Sequence, residues 1–222
     1  MTLTYPLLDK PLVFTENHTN SLVIEAPVEL RRIMAELRSQ INGDRGRFVL
    51  GIDHEPAELS RLAVMVSDPL ELDLNARKLS ARLMQEVLRA AGTRETQVRN
   101  LLLEINSLAA GISMDLDNDI TYTPLEDPEG LLRLLDYHPD WDALSMPEQL
   151  LGYMRLQRAY FGKRLFILYG LKAVLTREEL NGLLRSIRYE KLDVLLLDAF
   201  QRDIPAEGEE LTIIDEDLCI LR

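Results

Sequence analysis

Residues 165–197 read LFILYGLKAVLTREELNGLLRSIRYEKLDVLLL. Two continuous apolar runs, Leu165-Phe166-Ile167-Leu168-Tyr169 and Val194-Leu195-Leu196-Leu197, flank one amphipathic segment. In that segment Thr176 stands three residues before Glu179, the spacing of a capping box, and Leu180, Leu183, Leu184 and Ile187 repeat along one helical face. Runs that lack alternation suit strands buried on both faces, and a helix between two of them predicts a parallel βαβ unit. A second capping box, Ser145 with Glu148, predicts the start of the preceding helix.

The N-terminal end repeats the pattern. Leu22-Val23-Ile24 reads as a strand, and Pro27 opens a helix whose apolar residues are Leu30, Ile33, Met34 and Leu37. Phe48-Val49-Leu50 reads as a further strand after the turn at Asn42-Gly43-Asp44. At the other terminus, Thr212-Ile213-Ile214 and Leu218-Cys219-Ile220-Leu221 around Asp215-Glu216-Asp217 predict a hairpin. Between the ends, from about Pro56 to Tyr137, the period is helical and no strand is expected. One helix is predicted through Ala76, Leu79, Leu83 and Val87, and another through Val98, Leu101, Leu102, Ile105, Leu108 and Ile112. The expectation is an α/β head with a mainly parallel sheet, formed by residues 1–55 and 145–222, and an inserted α-helical leg over residues 56–144.

Composition narrows the function. The 222 residues carry 25 Lys and Arg against 37 Asp and Glu, a formal charge of −12. Hydrophobic residues make up 46% and charged residues 28%, the balance of a folded domain rather than a disordered one. No apolar run approaches the ~20 residues of a membrane span. The first ten residues lack a signal peptide's pattern. The single cysteine, Cys219, allows no internal disulfide. These features predict a cytoplasmic protein with no membrane partner.

Charge is distributed unevenly. Residues 111–142 hold nine acids and one base, a net −8, while residues 75–100 hold six bases and two acids, a net +4. Lys78, Arg82 and Arg89 fall within a narrow helical stripe. Arg31 and Arg38 share another face, with Arg32 beside them. Each stripe fits a solvated face or a phosphate-contacting one, for which the planar guanidinium is suited. In the acidic segment Asp115, Asp117, Asp119 and Glu126 have the positions of EF-hand ligands. Ile120 replaces the glycine of such a loop, however, and Pro124 stiffens it. Clustered carboxylates without His or Cys favour a hard cation, Ca²⁺ or Mg²⁺, or else form a solvated loop.

Signatures of catalysis are missing. The turn Glu25-Ala26-Pro27-Val28 after the first strand has no glycine, so it does not match a P-loop. Gly162-Lys163 lacks the earlier glycine, Gln157 standing in its place. Asp198 ends an apolar strand as a Walker-B carboxylate would, without the cradle. His18, His54 and His138 match no metal spacing, and there is no G-x-S-x-G elbow. The expectation is a protein that is not an enzyme.

The segments together resemble a known family, the small accessory adaptation protein of type II-A CRISPR–Cas systems. The opening Tyr5-Pro6-Leu7-Leu8-Asp9-Lys10-Pro11 and Leu22-Val23-Ile24-Glu25 resemble its N-terminus. Asp115-Leu116-Asp117-Asn118-Asp119-Ile120 is similar to its acidic segment. Lys163 to Leu168 with Leu175-Thr176-Arg177-Glu178-Glu179, and Ile213 to Leu221, resemble its strand-to-helix joint and closing hairpin. The resemblance runs end to end in order. It implies a head related to P-loop ATPases but degenerate, and a homotetrameric ring supported by Ca²⁺. It also implies sequence-independent binding of double-stranded DNA ends, in spacer acquisition beside the integrase and effector nuclease. Two other readings compete: a metal-dependent nuclease using Asp115, Asp117 and Asp119, and a Ca²⁺-responsive scaffold without DNA contact.

Overall fold

The computed structural model describes residues 1–72, 77–116, 120–202 and 204–222. The chain divides into two compact units, one of residues 1–72 and 143–222 and one of residues 73–142.

In the first unit, the elements before the helical unit are β1 (Thr2–Thr4), β2 (Leu12–Val13), β3 (Thr19–Ile24), α1 (Pro27–Ile41), β4 (Val49–Ile52), β5 (Glu55–Ala57), α2 (Leu59–Leu62) and β6 (Ala63–Val66). After it come α6 (Met146–Phe161), β7 (Leu165–Tyr169), α7 (Leu171–Val174), α8 (Arg177–Tyr189), β8 (Asp193–Asp198), β9 (Glu209–Ile214) and β10 (Ile220–Leu221). A six-stranded sheet has the order β10-β9-β3-β8-β7-β6, parallel throughout except for the antiparallel β10. The α/β class and the mainly parallel sheet are therefore as the sequence predicts. The terminal hairpin is present too, β9 lying parallel to β3 and antiparallel to β10.

All six residues of β3 are buried, as expected for a strand covered on both faces. Leu22, Ile24, Leu165, Ile167, Leu195 and Leu197 pack on one side with Leu30, Ile33 and Leu37 of α1. The alternate residues Phe166, Leu168, Val194 and Leu196 pack on the other, with Leu150, Leu151 and Met154 of α6 and the apolar face of α8. Both predicted capping boxes form, at Ser145 with Glu148 and Thr176 with Glu179. Gly162 ends α6 in the left-handed conformation at φ +66°, where a side chain would be strained.

Of the predicted strand Phe48-Val49-Leu50, Val49 and Leu50 lie in β4 of a separate four-stranded antiparallel sheet of order β2-β1-β4-β5, and Phe48 leads into it. Tyr5 and Phe48 stack there at 4.2 Å, and Arg47 lies over the Tyr5 ring at 5.0 Å. Arg47 also donates to the Glu36 carboxylate of α1 at 2.6 Å, and this guanidinium pulls the Glu36 pKa down to about 2.

One expectation fails. Residues 56–137 do contain strand, because β6 pairs parallel with β7 from Ala63 opposite Leu165 to Val66 opposite Leu168. Leu59, Leu62, Ala63 and Val66 have helical spacing, which hides four residues of strand behind one turn of helix.

The second unit is helical in its described residues: α3 (Arg77–Gly92), α4 (Glu95–Met114) and α5 (Pro128–Arg133). Gly92 closes α3, and a turn at Thr93 and Arg94 separates it from α4. Ala76 lies outside the described residues. Only a third of the predicted apolar face of α4 is used: Val98 and Leu102 are buried, whereas Leu101, Ile105, Leu108 and Ile112 are exposed.

Leu196 is fully buried between β3 and β7 and should be intolerant of truncation. Leu196→Ala is expected to lower unfolding free energy by about 2–5 kcal/mol. Urea denaturation would report this as a lower midpoint with an unchanged slope.

Candidate functional site

The predicted basic residues are all on helix surfaces. In α3, Lys78, Arg82 and Arg89 are exposed, while Leu79 turns inward. Their partners differ. Arg89 donates to the Glu86 carboxylate at 2.8 Å, so its charge is locally met. Arg82 donates to the neutral amide oxygen of Gln85 at 2.9 Å and keeps its charge available. Lys78 has no ion pair among the described residues. Among the described residues the stripe thus presents two cations without ion pairs one turn apart, with a third that is paired.

In α1, Arg31, Arg32 and Arg38 are also exposed. Arg32 pairs with Glu29 at 3.1 Å. Arg38 donates to the Ser67 hydroxyl at 2.8 Å, which leaves its charge unneutralised. These arginines belong to the first unit and the α3 stripe to the second.

The acidic segment starts at the end of α4. Asp115 is the C-cap of α4 and is exposed. Asp117 and Asp119 lie outside the described residues. Glu126 is elsewhere along the helix. The Asn106 side chain clamps Leu125 by donating to its carbonyl and accepting from its N–H, both at 2.9 Å, and the Tyr122 hydroxyl donates to the Asn106 carbonyl at 3.1 Å. Glu126 consequently lines a groove with Val98, Arg99 and Leu102. From Leu102 to Asp115 the helix rises about 20 Å at ~1.5 Å per residue, too far for one ion. Glu126 therefore does not join Asp115 in a ligand set, contrary to the EF-hand spacing. Pro124 and the Asn106 clamp lay this segment back along α4 instead of around a cation. Among the described residues no cluster of three His, Cys, Asp or Glu side chains could hold a metal.

The head contains a polar cluster that spacing did not reveal. Asp198 ends β8 beside Val23 of β3, and the turn from β3 into α1 is only Glu25-Ala26. The Glu25 N–H is taken by the Ile214 carbonyl at 2.8 Å, so the junction offers no loop of free N–H groups to wrap a phosphate. On the face that carries Asp198, Lys172 ion-pairs with the buried Glu209 and donates to the Ser21 hydroxyl at 3.0 Å. Glu209 also accepts from the Ala206 N–H at 2.8 Å. Asp198 is 5% exposed, and its Oδ2 is buried with no hydrogen-bond partner among the described residues. Burial raises its pKa to about 6, against the opposing pull of the Lys172 ammonium. Lys172 and Glu209 are 37 residues apart, a separation at which sequence periodicity carries no signal.

No curated protein matches the chain. A family model described as CRISPR-associated protein (Cas_Csn2) matches residues 40–218. A solved structure from Pyrococcus furiosus, described as "Putative ABC transporter (ATP-binding protein)", aligns at 9% identity over 95% of this chain and 93% of its own, with a TM-score of 0.34.

Asp198 makes the stability of the head depend on pH. Its folded pKa lies above the ordinary 3.8, so the folded protein holds this proton more tightly than the unfolded chain. Its contribution is favourable below about pH 4 and is lost as pH rises through about 6, a change of ~3 kcal/mol at most. Asp198→Asn should remove that slope. Urea midpoints at pH 5 and pH 7.5 should show the variant gaining on the wild type as pH rises; a constant difference would contradict the assignment.

Proposed function

The chain belongs to the CRISPR-associated Cas_Csn2 family, and on that footing we propose that it acts in adaptation by binding double-stranded DNA ends, without catalysis, as a homotetrameric ring. Its partners in this reading are the integrase and effector nuclease of the same system, in the cytoplasm. The observation that carries the DNA-binding part is the α3 stripe. Lys78 and Arg82 are exposed cations without carboxylate partners among the described residues, in a chain whose net charge is −12. Cations left uncompensated on one helix face suit the DNA backbone, which is read without regard to base.

Self-association is supported by α4. Leu101, Ile105, Leu108 and Ile112 are 50%, 40%, 66% and 53% exposed, at spacings of four, three and four residues. That is the seam spacing of one helix laid along another, and no element among the described residues covers it. A second copy of the same helix supplies a matching seam, which suits a symmetric oligomer. Calcium, if bound, falls to Asp115, Asp117 and Asp119 without Glu126. The absence of a phosphate cradle after β3 supports a head that holds the fold without hydrolysing nucleotide. No helix of the described residues is long and apolar enough to cross a membrane.

Reversing Lys78 and Arg82 to Glu should weaken binding of a linear duplex about equally for unrelated sequences. It should also reduce the slope of log affinity against log salt by roughly 2. A folded variant with unchanged affinity would move the DNA surface off α3. Assembly has a separate test. Leu108→Asp changes a residue exposed in the single chain, so circular dichroism should be unaltered while light scattering reports a smaller species. A variant that keeps the wild-type mass would remove α4 from the interface.

A further inference from the structure

The proposed function leaves the outer face of α8 unused. Its apolar side, Leu180, Leu183, Leu184 and Ile187, is buried against the sheet. At ~100° per residue Arg177, Asn181, Arg185 and Arg188 occupy an arc of about 80° next to that side. These four residues, with Ala206 and Glu207, line a recess of about 220 Å³. One wall is fixed in place. Arg188 donates to the Glu207 carbonyl at 2.8 Å, and a Cβ on Gly208 would meet its guanidinium at 2.7 Å, so glycine at φ +76° leaves room for it.

The other two guanidiniums are not neutralised. Arg177 and Arg185 are exposed and take part in no ion pair among the described residues. Nearby acids are engaged elsewhere: Glu179 closes the capping box with Thr176, and Glu190 pairs with Arg155. Glu178 lies about 100° around the helix from Arg177. Among the described residues Glu207 is the single carboxylate on the recess, against three guanidiniums and one amide. Several forked donors around a small concavity match an anion with several oxygens, and guanidinium matches phosphate in particular.

We infer that this recess is a phosphate-binding site on the first unit, distinct from the α3 stripe and independent of whether that stripe binds DNA. Arg177 and Arg185 contact the phosphate oxygens, Asn181 donates from its amide, and Arg188 forms the rigid wall. The phosphate comes either from a nucleic-acid backbone or from a free diphosphate, since both present the same oxygens.

The test uses the full chain, with inorganic pyrophosphate and a linear duplex as separate probes. Arg177→Gln with Arg185→Gln removes both free charges from exposed positions, and Arg61→Gln, an exposed arginine elsewhere on the unit, is the control. Calorimetry at low salt should show pyrophosphate bound by the wild type and the control. The double variant should bind at least about tenfold more weakly, as expected for lost charge-assisted hydrogen bonds. If the backbone is the source, the duplex is weakened in the same variant and its salt slope falls by roughly 2, even where pyrophosphate binds poorly to the wild type. If free diphosphate is the source, only the pyrophosphate arm moves. A double variant that matches the wild type with both probes overturns the site.

Discussion

The structure depends on the burial of β3 between β8 and β9. A strand with all six residues buried needs backbone partners on both edges and apolar cover on both faces. Those partners come from residues 195–198 and 209–214, at the opposite end of the chain. The two ends of the sequence are therefore one unit, and the helical residues between them are an excursion from it. The same pairing brings Asp198 beside Val23 and places Lys172 against Ser21 and Glu209.

Much of the head was legible because its signals are local. Capping boxes, the proline before Leu30 and uninterrupted apolar runs act over a few residues, and they gave α1, α6, α8, β3, β7 and β8. Failure came where two periods coincide or where partners are distant. Residues 59–66 carry apolar side chains at helical spacing, and pairing with β7 overrides that pattern for β6. In α4 the spacing revealed an apolar face but could not say that most of it stays open. For the candidate site, exposure of Lys78 and Arg82 could be anticipated, but the pairing of Arg89 with Glu86 depends on rotamers. The EF-hand spacing of Glu126 misled because a side chain on the helix, Asn106, fixes where Leu125 goes. The Lys172–Glu209 pair had no local signal.

Charge in this molecule is sorted more than it is balanced. Glu36 and Glu209 are held by Arg47 and Lys172, which tie α1 to the loop before β4 and α7 to β9. Lys78, Arg82, Arg177 and Arg185 are left without carboxylate partners among the described residues. Local surfaces can therefore attract anions despite the net negative charge, since a Debye length of ~8 Å at physiological salt confines each surface's influence.

The position of β3 also sets a schedule for synthesis. It leaves the ribosome well before either partner, since β8 ends at Asp198 and β9 at Ile214, 174 and 190 residues after Ile24. At ~5–20 residues per second, a strand that carries Leu22-Val23-Ile24 waits roughly 9–35 s with both edges unpaired. Nascent chains of this protein thus spend that interval with Leu22, Val23 and Ile24 open to wrong partners. Its yield in a cell depends on whatever shields that segment until β8 and β9 emerge.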